Sequence, residues 1–186
     1  KSHSSVTSDN IEGGQTAAQF LCKAGHKRIA YIGGWAGAST QRDREAGFCS
    51  GLKKSGQILF ARALGDFSTD IAKDVTREMF AASSRPDAVF VATDHMAFAV
   101  MDVLRSELGL SIPADVSVVG YDDVPPSSWA GYNLTTLRQR ANLMVEKTVR
   151  LMIDKIRDPG VAPMHLKINS PLIVRGSAKI PEGWST

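Results

Sequence analysis

Polar residues gather where apolar runs end. Gly33–Arg44 follows a β-branched run that begins at Arg28. Gly65-Asp66-Phe67-Ser68 follows a weaker run, Thr93-Asp94-His95 a third, and Asp122-Asp123 a fourth. Arg44 with Asp122 would suit a hydroxyl-rich or anionic ligand, because a guanidinium offers a fixed fork of donors and a carboxylate only acceptors. Arg42 and Arg44 are two apart, about 200° around a helix, so only one of them can face a shared crevice. Phe67 or Trp35 could supply a stacking face, and core packing is the other reading of Phe67. Taken singly, Ser68, Asp94 and Asp122 could each simply cap a helix. The coincidence of four junctions favours a site.

Other chemistries fit less well. Gly33-Gly34-Trp35-Ala36-Gly37-Ala38-Ser39-Thr40 has no lysine at the phosphate-loop position, and no GxGxxG is present. Asp122-Asp123 with Asp66 suggests an acidic receiver-type pocket, but no lysine completes one. His26 precedes its strand and so belongs at the opposite sheet edge. His95 is at the right edge, but no serine stands in a Gly-x-Ser-x-Gly elbow. Neither a catalytic group nor a metal or cofactor site is expected.

The elements that must position these residues alternate. Arg28–Gly34, Ile58–Leu64, Asp87–Ala92 and Val116–Tyr121 read as strands, and continuous apolar runs suit a parallel sheet buried on both faces. Asn10–Ala24, Thr40–Ser55, Thr69–Ser83 and His95–Leu108 read as helices between them. The expected fold is therefore α/β, a doubly wound parallel sheet with right-handed crossovers. In such sheets ligands bind at the carboxyl ends of the strands, near the point where strand order reverses. Beyond Tyr121 lie a Pro/Ser-rich loop, a short strand at Leu134–Leu137, a helix over Asn142–Ile156 with a broad apolar stripe, and one or two strands in Met164–Val174.

The chain has 186 residues, 43% hydrophobic, enough for one domain with a real core. A net charge of +3, with scattered basic residues, argues against direct nucleic-acid contact by this stretch. No apolar run reaches the roughly 18–20 residues that span a bilayer. Cys22 and Cys49 have neither CxxC nor metal spacing, which points to buried thiols in a reducing cytoplasm.

Gly25-His26-Lys27-Arg28-Ile29-Ala30-Tyr31-Ile32-Gly33-Gly34 resembles a segment of the LacI/GalR family of transcription regulators. So do Arg42-Asp43-Arg44-Glu45-Ala46-Gly47-Phe48, Pro86–Asp94, Ile112–Asp123, Leu134–Gln139 and Leu172–Ser177, in the same order along nearly the whole chain. The resemblance implies a type I periplasmic-binding-protein-like effector domain, with a sugar, nucleoside or related metabolite held between two lobes. It carries ligand contacts onto Arg44, Phe67, Thr93, Asp122 and Gln139, and leaves Asp94 as a helix cap. It implies a second lobe over 9–139 with a return strand and tail over 170–186. Residues 1–8 would be a remnant of a first lobe that is otherwise missing, and 140–169 would pack on that lobe. Without its partner sheet, the apolar helix is expected to dock abnormally, swap between chains or support a homodimer. DNA would be reached only through an N-terminal headpiece outside this sequence. The alternative on the same fold is a solute-binding component of a transporter, and an enzyme ranks third.

Overall fold

The computed structural model describes residues 3–184; residues 1–2 and 185–186, the outer ends of the first and last expected segments, lie outside the described residues. The chain runs β1 (Ser5–Ser8), α1 (Asn10–Lys23), β2 (Ile29–Gly33), α2 (Ser39–Lys54), β3 (Ala61–Leu64), α3 (Thr69–Ala81), β4 (Ala88–Val91), α4 (Asp94–Asp102), β5 (Ser117–Asp122), β6 (Thr135–Arg138), α5 (Ala141–Arg157), β7 (His165–Ile168) and β8 (Leu172–Ile173). A wider turn, Val103–Glu107, extends α4 and completes the helix expected to Leu108.

Six strands form one sheet in the order β3-β2-β4-β5-β6-β8, parallel except for β8. The strands β2, β4 and β5 are almost wholly buried, as their unbroken apolar runs require. The chain leaves β2 toward β3 on one side and then returns to β4 on the other. Strand order therefore reverses between β2 and β4, and the crevice expected of a doubly wound sheet opens there.

Helices α1 and α2 pack more closely than ordinary side chains allow. A Cβ on Gly14 would stand 2.3 Å from the Arg44 carbonyl oxygen, and one on Gly47 would stand 2.2 Å from that of Ile11. Glycine at both positions lets the two backbones touch, and that contact brings the start of α1 against Arg44.

A second, smaller unit was only partly anticipated. Ser5–Ser8 is a true strand, paired in parallel with β7 in a separate two-stranded sheet. Its residues Ser5-Val6-Thr7-Ser8 carry too little apolar signal to announce it. Beside it lies α5, none of whose residues is buried, with Val145, Val149, Met152, Ile153 and Ile156 exposed along its apolar stripe. Cys22 and Cys49 are free and half-buried, less enclosed than expected. Among the described residues no helix is long and apolar enough to cross a membrane.

Candidate functional site

Arg44 stands over the switch point. It projects from α2, is 5% exposed, and donates from its guanidinium to the carbonyl of Ala92 at the end of β4. Its Nε donates to Asn10 Oδ1 at 2.8 Å. The guanidinium carbon lies 3.6 Å from the centre of the Tyr121 ring, a close cation–π contact. An Nη sits 3.8 Å from Asp122 Oδ1. Two of its five N–H groups are committed to protein, through Nε and one Nη, and the other Nη faces the carboxylate.

Asp122 ends β5 with φ of 130°, a backbone conformation that L-residues rarely adopt. Asp66, Phe67 and Asp123 also have positive φ, at 53°, 57° and 59°. Strained non-glycine residues thus cluster at the β3 and β5 ends facing this crevice, as they do at binding sites generally. Burial pushes the Asp122 carboxyl up to about 6, against the opposing pull of Arg44 and of the Gln139 hydrogen bond. Burial leaves this acceptor partly dry.

Gln139 is brought to the same place, but its amide is engaged at both ends. Nε2 donates to Asp122 Oδ1 at 2.5 Å, and Oε1 accepts from Ser8 Oγ at 2.9 Å. Phe67 is 43% exposed after β3, and its ring occupies the space a Cβ on Gly34 would need. It is a rim residue, not a core one. Trp35 is exposed on the neighbouring loop, which Gln41 ties at the Gly34 N–H and Arg42 at the Gly37 carbonyl. Arg42 is therefore a brace for that loop, and of the two arginines only Arg44 enters the crevice.

The capping assignments at β4 need correction. Thr93, not Asp94, is the N-cap of α4; its hydroxyl accepts from the Met96 N–H at 3.4 Å. Asp94 is fully buried inside the first turn, and its carboxylate accepts from Val124 N–H, Ser127 Oγ and Thr136 Oγ1 at 3.0, 2.7 and 2.6 Å. It pins the Pro/Ser-rich loop and β6 beneath the site. Ser68 does cap α3, and Asp122 caps nothing. Asp123 pairs with Arg138 and Arg175, so no acidic pocket forms from the Asp122-Asp123 pair. Among the described residues no cluster has the make-up of a metal site.

Asn10, Ser8, Tyr121 and Ser170 are site residues that sequence reasoning passed over. In the sequence Tyr121 reads only as the end of an apolar run. Asn10 carried one usable signal, since a buried polar residue directly after a helix cap needs a partner. Ser8 and Ser170 carried none.

An open groove lined by Asp122, Val124, Gln139, Ala141, Met144 and Val145 adjoins the pair. A second, mostly apolar hollow lies between α5 and β1, lined by Val6, Leu151, Met152 and Val161 among others. Its polar lining, including Ser5, Thr148 and Lys155, has no carboxylate to oppose the lysine, so the Arg44–Asp122 crevice is the better candidate.

The family model described as a periplasmic binding protein-like domain matches residues 18–178. The HTH-type transcriptional regulator CelR of Thermobifida fusca is 37% identical over 177 residues, covering 92% of this chain and 51% of that protein. The ribose operon repressor of Escherichia coli K12 is 33% identical over 175 residues, covering 93% and 53%. The solved CelR–cellobiose complex superposes with a TM-score of 0.88 at 35% identity, covering 95% of this chain and 54% of that one. The chain thus spans about half the length of the curated relatives it matches.

Proposed function

Since the chain belongs to the periplasmic binding protein-like family, as an effector-binding domain of the LacI/GalR type, we propose that it binds a small polyhydroxylated metabolite, of sugar or nucleoside type, in the crevice over the β2/β4 switch point. The observation that carries this reading is the Arg44–Asp122 pair. A directed fork and a poorly solvated acceptor stand 3.8 Å apart beside the open groove that Asp122 lines, where ligand hydroxyls can donate to Asp122 and accept from Arg44. Phe67 stacks on an apolar ring face, and Thr93 and Gln139 border the ligand.

Cellobiose is held by a similar protein of known structure, and a second relative is named for the ribose operon. Both support a sugar as one member of that class. The regulatory role follows the same line. Ligand binding shifts an equilibrium between arrangements of two lobes, and a helix-turn-helix segment reads that shift on DNA inside the cell. In this reading β1, β7 and α5 belong to the first lobe, and the exposed stripe of α5 is covered by that lobe or by a second copy of the chain. The named relatives are transcription regulators, which favours this role over solute transport and over catalysis.

NMR titration with a panel of monosaccharides, disaccharides and nucleosides tests the site, and it tolerates weak affinity. Shift changes are expected around Arg44, Phe67 and Asp122, and they are expected to vanish in Arg44→Ala and Asp122→Ala. Unchanged binding in both variants would remove these residues from the site.

A further inference from the structure

The chain passes three times between the six-stranded sheet and the β1/β7 unit, at Ser8–Asp9, Gln139–Arg140 and Asn169–Ser170. The first and third crossings are tied by the Asp9 N–H, which donates to the Ile168 carbonyl at 2.7 Å, and the first and second by Ser8 Oγ, which donates to Gln139 Oε1. Each crossing also reaches the charged pair. At the first, Asn10 Nδ2 donates to the Ser8 carbonyl at 3.1 Å while Asn10 Oδ1 accepts from Arg44. At the second, Gln139 holds Asp122. At the third, the Tyr121 hydroxyl donates to Ser170 Oγ at 2.9 Å, under the ring that carries the Arg44 guanidinium.

We propose that Gln139 is a positioning residue whose amide relays the state of Asp122 to the first crossing through Ser8, so that ligand occupancy of the site is felt at the hinge between the two units. This rests on the ligand site proposed above. The physical basis is the polarity of an amide, which has one donating and one accepting end. An ionised Asp122 can only accept, so it demands the NH2 end of Gln139 and leaves the oxygen for the Ser8 hydroxyl. A ligand hydroxyl that takes Asp122 Oδ1, or a proton placed there, removes that demand. The amide is then free to turn, and the Ser8 hydroxyl must find another acceptor or become one. The nearest alternative is the Met144 sulfur at 3.6 Å, on α5. A change of one hydrogen at Asp122 is thereby converted into a change of partners at β1 and α5.

Protonation of Asp122 mimics ligation and needs no ligand. Arg44 on α2, Asp94 and His95 on α4, and Tyr121 beside it on β5 are the charged or titratable groups that act on it. His165 sits near the reporter strands, 3.0 Å from Ser5 Oγ. The experiment is an NMR pH titration of the whole chain carrying His95→Gln and His165→Gln. It follows the Asp122 carboxyl carbon together with the amides of Ser8, Asp9 and Ile168. A shared midpoint is expected. In Gln139→Leu and in Ser8→Ala the carboxyl still titrates but the three amides no longer follow it, and Ser8→Thr restores the link. Amides that stay silent while Asp122 titrates, or that still track it in Gln139→Leu, would overturn the relay. Failure of every sugar to bind would instead count against the ligand site and leave this result standing on its own.

Discussion

The guanidinium carbon of Arg44 lies over the ring of Tyr121, 3.6 Å from its centre, and the ring's hydroxyl is anchored to Ser170. The contact holds the second Nη of Arg44 toward Asp122. Tyr121→Phe keeps the face and loses the anchor, so it is expected to cost about 1 kcal/mol of stability. Tyr121→Leu loses the face as well. It should cost more, and it should move the Asp122 carboxyl above about 6, because Arg44 no longer holds its place beside it. Urea unfolding and carboxyl NMR read the two effects separately.

Asp122 makes the domain less stable than it could be. Burial pushes its carboxyl up to about 6 in the fold from an ordinary 3.8, so between those values the native state binds more protons than the unfolded one. Stability therefore falls as pH rises through that window, by ~3 kcal/mol for a shift of this size. Asp122→Asn is expected to be more stable than the parent at pH 7.5, with the advantage gone at pH 3.5. Denaturant midpoints across this range check it.

His26 pulls the other way. It is 4% exposed at the opposite edge of the sheet, its Nδ1 lies 3.3 Å from Asp87, and its Nε2 has no partner. Burial lowers its pKa, with Asp87 only partly offsetting the effect. The unfolded chain thus takes up the proton first as pH falls below 6.5. Stability contributed by neutral His26 is present above that value and is lost as pH drops. His26→Gln should flatten this limb of the stability profile without changing the Asp122 limb.

Gly47→Ala should separate α1 from α2, since its new methyl would overlap the Ile11 carbonyl. The expected cost is about 1–3 kcal/mol from overpacking. A structural role alone ends there. Because the same contact seats Asn10 against Arg44, this variant should also weaken ligand binding, from a position that touches no ligand. Equal affinity in the variant would detach the helix contact from the site.

The central strands β2, β4 and β5 were legible because burial on both faces leaves unbroken apolar runs, and the strand-end positions of Thr93 and Asp122 followed from them, while Phe67 follows the weaker β3 and Arg44 stands on α2. Their partners did not. Asn10 and Ser170 reach the site across 34 and 49 residues of sequence, and a single polar residue leaves no periodic trace of such a contact. Strand β1 escaped for a related reason, being four mostly polar residues whose only ladder partner lies 160 positions away. Thr93 and Asp94 are adjacent and both able to cap. Only the buried hydroxyls of Ser127 and Thr136, arriving from later in the chain, decide that Asp94 holds the loop and Thr93 the helix.

The claim that a hydroxylated ligand seats on Asp122 is tested most directly at its own carboxyl carbon. The pH titration of Asp122 is recorded by NMR with and without a saturating sugar from the panel. Donation by ligand hydroxyls stabilises the ionised form, so the midpoint is predicted to fall below about 6 in the complex, with affinity weakening as the pH is lowered. A bound sugar that leaves the Asp122 midpoint where it stands in the free protein would contradict the account.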